Sequence, residues 1–117
     1  MTTPAPAAEV TAEYKGNVLV LRIKGRLDAL SSSEAEKKIC SSIEEGQSKV
    51  LLDMAAVTYL SSAGMRMLLS TTKRVRSMAG RMVLCSTANN VLDVLKISGF
   101  DHVLELFETE EEATKQL

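Results

Sequence analysis

The chain has 117 residues, 45% hydrophobic and 25% charged, with a formal net charge of -1. That is enough chain to bury one core without metals or disulfides, and the near-neutral balance gives no long-range pull toward nucleic acid or anionic lipid, so neither is expected as a direct partner. The apolar runs are too short to span a bilayer, and Met1 to Ala8 has neither the basic region nor the apolar stretch of a secretory signal, so a cytoplasmic location is expected.

Residues 1–8, with Pro4 and Pro6, read as a flexible lead-in to one domain over 9–117. Val10 to Tyr14 forms a first strand, Lys15-Gly16-Asn17 a turn, and Val18 to Lys24 a β-rich run closed by Gly25, which together make an antiparallel hairpin. After a loop from Arg26 to Leu30, Ser31-Ser32-Ser33-Glu34 supplies N-cap candidates for a helix that carries Ala35, Ile39 and Ile43 and runs to Gly46. Lys49 to Met54 is a nearly continuous apolar run, the pattern of a central strand covered on both faces. From Ser62 to about Met78, apolar residues recur at three- and four-residue intervals. Its Arg66, Lys73, Arg74 and Arg76 read as a solvated face matched to the helix dipole, with a phosphate-binding patch as the alternative. Gly80 offers the stop. Arg81 to Ser86 is another buried strand, Asn89-Asn90 can cap a helix ending near Gly99, Val103 to Phe107 is a last strand, and an acidic helix starts at Thr109. The order β-β-α-β-α-β-α-β-α implies a single α/β domain: a small mixed sheet, hairpin first and parallel strands after, with about four helices packed on it.

With two Tyr, two Phe and no Trp, the core falls to aliphatic residues and methionine. The six methionines read as packing material, except Met65 and Met67, which flank the segment of interest and could serve an adaptable binding surface. Cys40 and Cys85 read as reduced, buried thiols.

Catalytic chemistry is hard to find. The only histidine is His102, and no GxSxG elbow presents a nucleophile beside Asp101-His102. There is no GxxxxGK[ST] cradle and no GxGxxG. The acidic run at 108–112 reads as a solvated helix face. No enzyme activity, cofactor or metal is expected.

What stands out is Asp53 to Leu69, where a strand ends near Asp53, a short connection carries Val57 and Tyr59, and Ser61-Ser62 opens the strongest helix. At a helix N-terminus the backbone N–H groups lack partners and the dipole is positive outward, so a serine caps well and a phosphoserine is stabilised. On spacing alone, Ser61 and Ser62 are equally well read as plain N-caps, with Gly64 a tolerated first-turn glycine.

The segment Asp53 to Leu69 resembles the signature of STAS-domain anti-sigma factor antagonists, and Gly25-Arg26-Leu27-Asp28-Ala29 resembles that family's G-x-L/I-D loop; with the shared element order, the resemblance covers roughly residues 9–112. It implies that Ser62, with Ser61 as the alternative, accepts phosphate from a partner anti-sigma factor that is also a serine kinase, and that a PP2C-type phosphatase removes it. The implied docking surface joins the Gly25 to Ser33 loop to the start of the second helix, with Asp28, Ser61, Ser62, Gly64, Met65 and Arg66 as candidates. Two positions depart from the pattern: Ser61 stands where Asp is common, and Arg66 where Gly or Ala is common. Two other readings remain open. One is a STAS scaffold module of another assembly, stressosome-like or lipid-transporting, outside serine-kinase control. The other is a small hydrolase using Ser62 with His102. A monomer is expected.

Overall fold

The structure is a computed structural model and describes residues 8–43 and 47–117. The expected lead-in lies outside these residues but for Ala8, which already opens a strand, and the expected helix stop at Gly46 also lies outside them. Five strands, β1 (Ala8–Lys15), β2 (Val18–Leu27), β3 (Lys49–Leu60), β4 (Arg81–Cys85) and β5 (Leu106–Phe107), form one sheet in the order β1-β2-β3-β4-β5. The β1-β2 hairpin is antiparallel and every later pairing is parallel. Helices α1 (Ala29–Ser42), α2 (Ser62–Ser77), α3 (Asn89–Ile97) and α4 (Glu110–Lys115) connect and follow the strands. The fold class and element order match the expectation.

The two faces of the sheet follow from side-chain alternation. Leu19, Leu21 and Ile23 of β2, Val50, Leu52 and Met54 of β3, and Met82 and Leu84 of β4 point to one face, where they meet Ala35 and Ile39 of α1, Leu68 and Val75 of α2, and Val91 and Leu95 of α3. Val18, Val20, Leu51, Val83 and Cys85 point the other way, onto Ala113 of α4 with Phe107 and Leu117 alongside. Polar pairing extends that thinner layer: Arg22 on β2 reaches Asp53 of β3 (2.7 Å), Glu110 of α4 (2.7 Å) and Glu13 of β1 (2.6 Å), and Lys15 reaches Glu110 (2.7 Å). Cys85 is fully buried, as expected, whereas Cys40 is only partly buried on α1.

Several boundaries differ from the sequence expectation. β3 does not end near Asp53 but runs on to Leu60, so Val57 and Tyr59 lie in the strand. Asp53 pairs with Arg22 and Ala56 with Lys24, then Val57 with Gly25 and Tyr59 with Arg26; twice, β3 has one residue more than β2 between successive pairs. Such bulges bend a strand and break its two-residue alternation, so Met54, Val57 and Leu60 are buried at intervals of three. Asp53 Oδ1 accepts the Ala55 N–H at 3.0 Å, serving a donor at the first bulge.

The first helix begins earlier than Ser31. Asp28 is its N-cap: its carboxylate accepts the Ser31 N–H at 2.9 Å, and Ser31 Oγ accepts the Asp28 N–H at 2.9 Å, a reciprocal capping box. Ser31 and Ser32 are therefore buried within the helix. At the other end of α2, Ala79, not Gly80, takes the left-handed conformation (φ 59°), and the Ala79 N–H to Arg76 O (3.0 Å) and Gly80 N–H to Val75 O (2.9 Å) bonds form a Schellman stop. Gly80 is needed for space, because a Cβ there would lie 2.9 Å from Gln47 O. The α3 N-cap is Ala88 without a side-chain bond, while Asn90 Nδ2 donates instead to Thr58 O at 3.2 Å. The expected strand from Val103 shrinks to Leu106–Phe107, preceded by a 3₁₀ turn at Phe100–His102.

Candidate functional site

The β2-α1 and β3-α2 junctions lie side by side at the carboxyl ends of two parallel strands. One residue ties them together. Ser61 is the N-cap of α2, and its backbone N–H (2.9 Å) and its hydroxyl (2.7 Å) both donate to Leu27 O, the last residue of β2. The same hydroxyl accepts the Gly64 N–H at 3.1 Å. Its donor and acceptor roles are thus both spent on structure. Ser62, the first helical residue, is exposed, and no hydrogen bond of its hydroxyl is found among the described residues.

Gly64 explains how the junctions come so close. A Cβ on it would lie 2.7 Å from Leu60 Cδ1, 3.1 Å from Leu27 Cβ and 3.2 Å from Leu27 O, so only glycine lets the first turn of α2 rest on the end of β2. Met65 is buried at 9% exposure and Met67 at 3%, both in the main core, so they support the turn from beneath. Arg66 is exposed one turn along from Ser62. Asp28 is half-buried on the neighbouring junction, and its bonds from the Ser31 N–H and hydroxyl hold its carboxyl below the usual carboxylate range. The expected candidates therefore form one patch of three layers: Ser62 and Arg66 outward, Asp28 and Ser61 half-buried, and Gly64 and Met65 below.

Between the first turns of α1 and α2 runs a groove of about 250 Å³, lined by Ala29, Ser32, Ser33, Glu36, Ala63, Arg66, Met67 and Ser70. Ser32 is 2% exposed and its hydroxyl finds no partner among the described residues. At the rim, the Arg26 guanidinium stacks 4.4 Å above the Tyr59 ring, a cation–π arrangement. Leu30, at 71% exposure, projects from the first turn of α1. The sequence reading had Arg26, Leu30 and Tyr59 in loops and missed them as surface features. An arginine and a tyrosine at the paired ends of β2 and β3 were the available signal.

The hydrolase reading fails on distance. Arg76 Nη2 donates to Val103 O (3.4 Å), which puts His102 near the far end of α2, and residues 62 and 76 of one helix are about 21 Å apart at 1.5 Å per residue. His102 is exposed, 3.8 Å from Asp101. Among the described residues, no three His, Cys, Asp or Glu gather as a metal-ligand set, and no helix is long and apolar enough to cross a membrane.

Comparison with known proteins points to the same fold. BtrV of Bordetella bronchiseptica, provisionally named an anti-sigma factor antagonist, is 28% identical over 105 residues, covering 90% of each chain. The crystal structure of an anti-sigma factor antagonist from Mycobacterium paratuberculosis superposes with a TM-score of 0.82 at 19% identity, over 98% of this chain and 97% of that one. The anti-sigma factor antagonist SpoIIAA, solved in its unphosphorylated form, gives 0.75 at 24% identity over 92% and 95% of the two chains. Its phosphorylated form gives 0.68 at 23% identity over 92% and 98%. The sequence profile of the STAS domain matches residues 9–113, from the first strand to the last helix, and so the chain belongs to the STAS domain family.

Proposed function

We propose that this chain is an anti-sigma factor antagonist that works by partner switching. Unphosphorylated, it binds an anti-sigma factor that is also a serine kinase, through the surface made by Asp28, Ser61, Ser62 and Arg66 above Gly64 and Met65. Transfer of phosphate from ATP to Ser62 releases it, and a PP2C-type phosphatase restores the binding form. In this reading the domain is a binding module without catalysis of its own, acting in the cytoplasm as a monomer and regulating sigma-factor-dependent transcription.

The observation that carries the proposal is the division of labour between the two serines. Ser61 is committed twice to the fold, whereas Ser62 is exposed at the first position of a 16-residue helix, with no hydrogen bond of its hydroxyl among the described residues. No acidic residue occupies the first turn of α2, so a phosphate there meets the positive end of the dipole without carboxylates beside it on the helix. The added charge acts outward, on whatever is docked against the small residues Ala63 and Gly64, where desolvating a phosphate is costly. That the fold of SpoIIAA carries both phosphorylation states supports the same tolerance here.

The test is intact mass with phosphosite mapping of wild type and Ser62→Ala, each incubated with Mg-ATP in lysate of the source cells. One phosphate on Ser62, absent from the variant, is expected. No phosphate on wild type, in a lysate with demonstrated kinase activity, would overturn the reading and favour a scaffold module outside kinase control.

A further inference from the structure

Among the described residues, Arg66 is a cation without a carboxylate partner. None of the ion pairs found among the described residues includes Arg66. It stands four residues after Ser62 on the same helix, the spacing at which side chains are neighbours, and an anion placed N-terminal to a cation at that spacing is the favourable orientation. It also borders the α1-α2 groove, whose buried Ser32 hydroxyl has no partner among the described residues. Other charged or titratable groups around this turn are Arg26 and Asp28 at the end of β2, Tyr59 at the end of β3, Glu36 on α1 and Lys73 further along α2. Asp28 is engaged in its cap and Arg26 in its stack on Tyr59, which leaves Arg66 as a near cation that is uncommitted among the described residues.

We propose that Arg66 is a positioning residue for the modified state: it receives the phosphate on Ser62 and holds it along the first turn of α2, across the mouth of the groove. This rests on the reading of Ser62 as the phosphorylated residue and adds its local regulation. An unmodified domain then presents a free guanidinium to its partner. The modified one presents a phosphate already paired within the chain, so that one event adds negative charge and withdraws a donor from the docking surface.

The test does not depend on any kinase. Phosphoserine is installed at position 62 during translation by nonsense suppression, and the second ionisation of the phosphate is followed by ³¹P NMR in the full chain. An i,i+4 pair of ordinary strength lowers that midpoint by roughly 0.2–0.4 pH unit relative to R66Q, with R66K close to wild type, K73Q unchanged, and the difference shrinking at high salt. Equal midpoints for wild type and R66Q, or an equal rise in K73Q, would overturn the proposal. A kinase that ignores Ser62 defeats the reading above without moving this midpoint, and a midpoint indifferent to Arg66 defeats the clamp alone.

Discussion

Replacing each of the two adjacent serines by alanine separates structure from switching. In Ser61→Ala, the Gly64 N–H loses its cap acceptor and Leu27 O loses one of its two donors. Loss of an N-cap costs about 1 kcal/mol, and loss of a further part-buried hydrogen bond about 1 kcal/mol, so Ser61→Ala is expected to lower stability by about 2 kcal/mol. Ser62 is exposed and no bond of its hydroxyl is found among the described residues, and alanine suits a helix, so Ser62→Ala should stay within about 0.5 kcal/mol of wild type. With a urea slope of about 1–2 kcal/mol per molar for a domain of this size, the midpoint should fall by roughly 1–2 M in the first variant and by less than about 0.5 M in the second. Urea unfolding followed by circular dichroism reads both. Equal losses, or the larger loss at Ser62, would refute the assignment of Ser61 to the fold and Ser62 to the surface.

Gly64→Ala sets helix propensity, which favours alanine by about 1 kcal/mol, against contacts of 3.1–3.2 Å with Leu27 that cannot swing away. Overpacking of this kind costs about 1–3 kcal/mol, so a net loss of about 1 kcal/mol is expected in the same urea assay, and a gain would show that α2 can lift off β2 freely. On the opposite face, bonds from Arg22 and Lys15 depress the Glu110 carboxyl. A carboxyl depressed by folding contributes stability that is present above its unfolded pKa, about 4.3, and is lost as pH falls through the lower folded value. Glu110→Gln should therefore lower the urea midpoint at pH 7 and fall less steeply than wild type between pH 5 and 3; parallel acid limbs would contradict the pairing.

How far the sequence could be read depended on whether one periodicity ran unbroken. The helix from Ser62 kept its three- and four-residue spacing to the end and was placed within a residue. The hairpin and the central position of β3 followed from β-rich and continuous apolar runs. The second half of β3 was hidden because two bulges replace alternation with intervals of three, a pattern that belongs to no single element type. The start of α1 was misplaced because Ser31-Ser32-Ser33 looks like a run of caps. The cap is Asp28, and Ser31 serves it from the third helical position. The choice between Ser61 and Ser62 depends on Leu27 O, 34 residues away from Ser61, and no local spacing could reveal it.

The site gains its character from the way the two junctions are joined. Because the Ser61 N–H and hydroxyl both hold Leu27 O while Gly64 lets α2 rest on the same residue, the first turn of α2 is fixed to the end of β2 and not to a loop of its own. A charge added at Ser62 therefore has little to reorganise in the fold. Its free energy falls on whatever is docked outside, where a phosphate must be desolvated, and, on the proposal above, on Arg66, four residues along the same helix. The Arg22 cluster, which could respond to charge, lies on the opposite face of the sheet, behind Leu51 and Val83. On this arrangement a modification can change binding while secondary structure stays constant, which is what a partner switch requires.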